Sequence, residues 1–227
     1  MANDLIHVTG LAKTFESGDQ TVSVLSGLDL SLAGGQSLAL TGPSGSGKST
    51  LLNILCGLER PDSGHLHVAG QTLAGEGAPV NKALEQAWAG LRRQCIGVVF
   101  QDANLMPALS LLDNIRLRAS LAGNAGDSGQ QWLSKLGIGE LGERYPDQVS
   151  GGQRQRAALA MVFAVRPALI LADEPTGSLD RVTAEAVADE LFGLQARQGC
   201  GLILATHDPE LAARCQFQLD LGHRGGA

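Results

Sequence analysis

Gly42-Pro43-Ser44-Gly45-Ser46-Gly47-Lys48-Ser49-Thr50 reads G-x-x-x-x-G-K-[ST], and its setting decides how the chain is read. The run before it, Ser37-Leu38-Ala39-Leu40-Thr41, is a short apolar strand. The run after it, Leu51-Leu52-Asn53-Ile54-Leu55, has the pattern of a helix. A phosphate-binding loop needs that strand–loop–helix order. Gly42, Gly45 and Gly47 let the backbone curl until successive N–H groups face one anion. The helix that follows adds the positive end of its dipole. Lys48 supplies a point charge for the terminal phosphates, and the Ser49 hydroxyl suits a divalent cation.

Outward from the loop, residues 5–40 read as β-structure. Leu5-Ile6-His7-Val8 is a short strand, and Val22–Leu25 and Leu28–Leu32 alternate as half-buried antiparallel strands do. His65 and His67 share one face of an alternating stretch and read as a solvated strand face, with no third metal ligand near. Residues 71–93 read as a polar insertion that becomes helical. Ile96–Phe100 is a buried strand ending at Gln101. Residues 102–148 carry no strand pattern; helices are expected over 111–121 and 130–136, with 123–129 a loose loop. Gln153–Val165 and Thr183–Gln198 read as helices. Ala168–Ala172 and Gly201–Thr206 are continuous apolar runs, as in a parallel sheet covered on both faces. The Gly-rich tail from Gly222 is expected to fray.

The chain has 227 residues, a formal charge of −6 and a pI near 5.3, which argues against a general nucleic-acid binder. Its four cysteines lie far apart with no C-x-x-C pair, so reduced thiols of a cytoplasmic protein are expected. No signal peptide is apparent, and no run reaches the ~18 apolar residues that span a bilayer.

Asp173-Glu174 follows the apolar run 168–172. An acid at such a strand end can hold Mg²⁺ through water beside Ser49, and a second carboxylate can take a proton from an attacking water. In isolation the pair also reads as a surface turn before Pro175. Val149-Ser150-Gly151-Gly152-Gln153-Arg154-Gln155-Arg156, upstream of Asp173, resembles the LSGGQ signature of ATP-binding cassette (ABC) ATPases. Phe15 resembles that family's adenine-stacking aromatic, Gln101 its Q-loop glutamine, Gly177-Ser178-Leu179-Asp180 its D-loop and His207 its switch histidine. Val149 in place of Leu and Met161 in place of an Arg are departures that touch no nucleotide contact. Asp220–His223 departs from the usual terminal ending and leaves the C-terminal fold open.

The resemblance implies an α/β fold: a P-loop NTPase of ABC type, with a RecA-like core, an antiparallel β-subdomain and a helical signature subdomain. It implies one ATP-binding domain over 1–227. The β-subdomain and nucleotide core cover about 1–101 and 159–222, the helical subdomain about 102–158, and 223–227 a disordered tail. ATP and Mg²⁺ are the implied ligands. Phe15, Gly42, Pro43, Ser44, Gly45, Ser46, Gly47, Lys48, Ser49, Thr50 and Gln101 would hold ATP in cis. Ser150, Gly151, Gly152, Gln153 and Asp180 would reach it in trans from a second copy, in an ATP-sandwich dimer. Ser49, Gln101 and Asp173 would serve the metal; Glu174, His207, Gln101 and Lys48 would act in catalysis. Phe15 also reads as plain core.

The loop sequence, the 71–93 insertion ending Leu91-Arg92-Arg93, and Val99–Pro107 resemble the branch of lipoprotein-release (LolD), macrolide-exporter (MacB) and YbbA-like ATPases. That branch implies an ATP-hydrolysing subunit at the cytoplasmic face of the inner membrane. It would power an integral membrane permease and, through it, a periplasmic adaptor, with no nucleic acid. A cell-division ATPase that signals without transport resembles it too. Leu105, Met106, Leu109, Leu111, Leu112 and Ile115 exceed what one helix face needs, so some are expected to be exposed to a partner. The other reading places all of them in the core.

Overall fold

The computed structural model describes residues 4–18, 20–124 and 129–222. The chain opens with two long strands, β1 (Asp4–Ser17) and β2 (Gln20–Ala33), then β3 (Ser37–Thr41) and α1 (Lys48–Leu55). β4 (Ser63–Val68), β5 (Gln71–Ala74), α2 (Lys82–Gln94) and β6 (Ile96–Val99) follow. Next come α3 (Leu111–Leu121), α4 (Gly129–Lys135) and α5 (Gly151–Val165), with short 3₁₀ turns at Gly139–Leu141 and Pro146–Gln148. The last elements are β7 (Leu169–Asp173), α6 (Arg181–Gln198), β8 (Gly201–Ala205), α7 (Pro209–Ala213) and β9 (Phe217–Asp220).

The strands make two sheets. One is antiparallel in the order β2-β1-β4-β5; the other is parallel in the order β6-β7-β8-β3-β9. The central parallel strands are almost wholly apolar because both of their faces are covered, whereas the edge strand β9 is largely exposed. Successive side chains point to opposite faces, and here they enter different cores. Leu169 and Leu171 join Leu38, Leu40 and Ile203 against α1 and the antiparallel sheet. Ile170 and Ala172 join Ala39, Leu202 and Leu204 against α3, α5 and α6. The helical layer has its own anchor: Trp132 of α4 meets Phe163 of α5 edge-on, ring centroids 5.1 Å apart. Such a pair adds about 1 kcal/mol to the area it buries.

Arginines tie helix ends together. Arg92, in the last turn of α2, donates to the carbonyls of Cys56 and Gly57 just beyond α1. Arg118 of α3 donates to the carbonyls of Arg92 and Arg93 at the end of α2. These carbonyls have no partner within their own helix, and the cation suits the negative end of each dipole.

Several expectations are corrected. The strand expected at Leu5–Val8 runs on to Ser17, because register shifts after Val8 and Leu11 break the alternation without ending the pairing. Residues 71–74 are a strand, not part of a polar insertion; Leu73 alone is buried there, which leaves no visible period. α7 and β9 follow Thr206, where no further element was expected. Leu111, Leu112 and Ile115 are core residues packed between α4 and α5, not spare apolar surface. Leu105 and Leu109 are half-buried, so of the six only Met106 is well exposed, at 54%. Leu117 and Leu121 of α3, which were not singled out, are exposed. The tail 223–227 and most of the loop expected at 123–129 lie outside the described residues.

Candidate functional site

β3 delivers the chain to the phosphate loop, and α1 leaves it. Gly42, Gly45 and Gly47 all have positive φ, at 130°, 82° and 96°. A side chain on Gly42 would strike Ser46 Oγ at 2.8 Å; one on Gly47 would strike Val24 Cγ1 at 2.9 Å. Both positions therefore need glycine twice over, for conformation and for room. Gly47 is the N-cap of α1 and offers no side chain to its first turn, so those N–H groups remain for an anion. Lys48 Nζ donates to the carbonyls of Gly42 and Pro43 at 2.7 and 2.9 Å, across the concave side of the loop.

A cavity of about 680 Å³ opens over this loop. Gly42, Pro43, Ser44, Gly45, Gly47, Lys48, Ser49 and Thr50 form its floor, and Phe15, Gln101, Asp173, Glu174 and His207 also line it. Residues scattered from 15 to 207 thus converge on one space. Ser46 is the exception: its hydroxyl is turned under the loop beside Gly42 and has no partner among the described residues. Phe15 is 39% exposed and stands at the rim instead of in the core, with Lys13 Nζ 5.1 Å from its ring centroid.

Asp173 ends β7, and Glu174 turns out of it with φ 46°, a left-handed conformation rare for a residue with a side chain. Three bonds hold that turn. Glu174 N donates to Ala205 O at the end of β8, Gly177 N donates back to Glu174 O, and Glu174 Oε1 lies 2.8 Å from His207 Nδ1. With Glu174 as a carboxylate, which only accepts, the donor in this pair is the Nδ1–H of His207.

The motif residues read as acting in trans are not on this wall. Ser150 caps α5: its hydroxyl accepts from Gln153 N at 3.3 Å, and Gln153 Oε1 accepts from Ser150 N at 2.8 Å. Gly151 and Gly152 open the helix beside Leu179, whose Cδ2 lies 3.0 Å from where a side chain on Gly152 would sit. Asp180 caps α6, taking the backbone N–H of Thr183 at 3.0 Å and its hydroxyl at 2.6 Å. Those two donors hold the Asp180 carboxyl below its usual range. The two groups meet through Leu179, next to Ser178 of the cavity wall, without themselves lining the cavity.

Val24, Gly177 and Ser178 also line the cavity and were not among the expected site residues. Gly177 and Ser178 lie in the motif that supplied Asp180, so that motif was the available signal. Val24 carried none; it matters because it packs on Gly47 and keys the antiparallel sheet to the loop.

The donor set suits Mg²⁺. Ser49, Gln101 and Asp173 offer oxygen ligands, and Asp173 and Glu174 place two carboxylates where a polyphosphate would otherwise be repelled. Among the described residues no cluster of three or more His, Cys, Asp or Glu could hold a metal unaided.

Residues 25–177 match the sequence profile of the ABC transporter family. The uncharacterized ABC transporter ATP-binding protein YbbA of Escherichia coli K12 is 42% identical over 97% of this chain and 95% of its own. The lipoprotein-releasing system ATP-binding protein LolD of Xanthomonas axonopodis pv. citri is 40% identical over 99% of this chain and 90% of its own. Among solved structures, the dimeric post-hydrolysis state of the ATP-binding cassette MJ0796 bound to ADP and Pi superposes with a TM-score of 0.86. It shares 29% identity and covers 96% of this chain and 94% of that one.

Proposed function

This chain belongs to the ABC transporter family as a LolD- and YbbA-like ATP-binding subunit, and from that premise we propose that it hydrolyses ATP to drive a separate membrane permease. The observation that carries the proposal is the Glu174–His207 pair, which meets the phosphate loop, Gln101 and Asp173 in one cavity. Glu174 takes the proton of the attacking water, and His207 orients that water through Nε2 while its Nδ1–H holds Glu174. Lys48 and the N–H groups at the start of α1 neutralise the terminal phosphates. Ser49, Gln101 and Asp173 would hold Mg²⁺, which when bound would supply further charge neutralisation there. Phe15 stacks on adenine.

Two copies would pair head to tail, each presenting Ser150–Gln153 and Asp180 to the other's ATP. The dimeric state of the related MJ0796 cassette supports that reading. No described helix is long and apolar enough to cross a membrane. In this reading the helical layer acts on another chain at the cytoplasmic face of the inner membrane. The face that bears Met106, beside Gln101, is the contact with it. Lipoprotein release by the permease follows the name of the relative LolD; export, with a periplasmic adaptor beyond the permease, belongs to the same reading.

The experiment is phosphate release from Mg-ATP by the purified chain, with and without EDTA, and capture of the membrane partner from detergent-solubilised membranes. The expected result is Mg²⁺-dependent release and a co-purifying integral membrane protein. A chain that binds ATP and releases no phosphate, alone or with that partner, refutes hydrolysis. A partner complex that moves no substrate favours signalling over transport.

A further inference from the structure

The buried face of α5 is Ala157, Ala158, Leu159, Ala160, Val162 and Phe163, together with one amide, Gln155, which is only 2% exposed. An amide in that position is costly unless bonded. Its Nε2 donates to the carbonyl of Phe100 at 3.0 Å. Phe100 lies one residue past β6, whose last ladder pair is Val99 with Ala172. The Phe100 carbonyl and the Gln101 N–H belong to one rigid peptide plane. Gln155 therefore fixes the plane from which the Gln101 side chain leaves for the cavity.

A second contact shows that this bond belongs to a larger fit. Gly97 of β6 has no side chain, and one built there would lie 2.6 Å from Val162 Cγ1. α5 thus rests on β6 at two points, Gly97 against Val162 and Phe100 against Gln155. Seven residues of helix rise about 10.5 Å, and three residues of strand span about 10 Å. The helix and strand run antiparallel in step between these points, so α5 cannot slide without moving the start of the Gln101 segment. The same helix begins at Ser150, the group presented to a second copy.

We propose that Gln155 is a positioning residue that couples Gln101 in a subunit's own phosphate site to the Ser150–Gln153 helix start it offers its partner. The proposal rests on the shared-site dimer described above. It touches neither nucleotide nor metal.

The test uses the full chain carrying Glu174→Gln, so that bound ATP persists. Light scattering over a range of protein concentrations in Mg-ATP gives the dimer dissociation constant. A fluorescent ATP analogue at concentrations below that constant gives the affinity of the monomer, and thermal melting gives stability. Adding Gln155→Leu, which keeps volume and removes the donor, should weaken the dimer at least ten-fold. Monomer affinity should stay within two-fold. With Glu174 intact, the same change should lower the Hill coefficient for ATP hydrolysis toward 1. Gln155→Met repeats the test should Leu not fold. Phe163→Leu, a core change in the same helix that leaves the bond to Phe100, is the control for plain destabilisation. A dimer constant unchanged by either Gln155 variant overturns the proposal alone. So does a change no larger than that in Phe163→Leu at equal loss of melting temperature. Absence of an ATP-dependent dimer in Glu174→Gln itself overturns the dimer reading, and the proposal with it.

Discussion

Replacing Glu174 with Gln, Ala and Gly separates chemistry from backbone strain. Gln keeps the shape, the left-handed φ of 46° and a partner for His207 Nδ1 at 2.8 Å, and loses only the basic oxygen. Turnover should fall by about 10²–10⁴, the usual worth of a positioned base. At ~1.36 kcal/mol per decade that is about 3–5 kcal/mol in the barrier. Stability should stay within about 0.5 kcal/mol, since nothing else is altered. Ala keeps the strain and loses the bond to His207, whose ring is largely exposed, so it should cost about 0.5–1 kcal/mol. Gly loses the same bond and relieves a left-handed conformation that costs a side-chain-bearing residue about 1–2 kcal/mol. Against that stands glycine's extra chain entropy of about 0.5–1 kcal/mol. Gly should therefore melt at or above Ala by up to about 1.5 kcal/mol, or roughly 3–6 °C at most for a chain of this size. Phosphate release and calorimetry on the three variants read both quantities. A Gln variant within ten-fold of the parent removes Glu174 from the chemistry. An Ala variant that melts above Gly shows that the turn stores no strain.

Phe15→Ala should weaken Mg-ATP binding a few-fold, on the order of 1 kcal/mol, with little change in melting because the ring is at the cavity rim; Phe15→Tyr should bind as the parent does. A large loss of stability with unchanged affinity would return Phe15 to the core. Met106→Glu should leave melting temperature and basal hydrolysis intact and abolish capture of the membrane partner. Leu112→Asp, in the core beneath, should prevent folding, and partner binding that survives Met106→Glu would place the contact elsewhere. Lys13 Nζ lies 2.7 Å from Glu59 Oε1 and 3.4 Å from Asp62 Oδ1. Glu59, through its bond from Lys13, and Asp62, through its bonds from Thr14, are held below their usual range, and Glu59 raises Lys13 above 10.5. The carboxylates stabilise the fold above their usual range and lose that contribution as pH falls through their folded values. Lys13 contributes below its usual pKa and loses that as pH rises through its folded one. Lys13→Met should lower the melting temperature at neutral pH by about 2–6 °C and flatten both flanks of its pH profile between 3 and 11. Parallel profiles for the two proteins would show that the cluster contributes nothing.

The elements legible in the sequence are those whose pattern follows from being covered on both faces or capped at an end. β7 and β8 announce themselves as unbroken apolar runs, and α3, capped by Ser110, spans the residues expected to be helical. β5 and β9 were not legible. Each is four residues long at a sheet edge and is held by ladder bonds more than by burial. Of the six apolar residues between 105 and 115 that exceed one helix face, Leu111, Leu112 and Ile115 fill the core and Met106 is the exposed one. Periodicity shows how wide an apolar face is, and it cannot show that α4 and α5 both press upon it. Most cavity residues with a fixed place in a motif were legible, Gly177 and Ser178 being the exceptions; Val24 was not, because its role comes from a contact with Gly47 across 23 positions of chain.

The parallel sheet also sets a timetable for synthesis. β3 leads into the phosphate loop at residues 37–41, yet both strands that flank it come from residues 201–205 and 217–220. About 160 residues must leave the ribosome before the first flank exists, some ten to thirty seconds at ordinary elongation rates. The antiparallel sheet draws only on residues 4–74 and can close long before that. A nascent chain therefore carries a complete phosphate-loop sequence for most of its synthesis with no sheet to hold it open. Nucleotide affinity is therefore expected to arrive late, so that nucleotide binding reports that nearly the whole chain has folded.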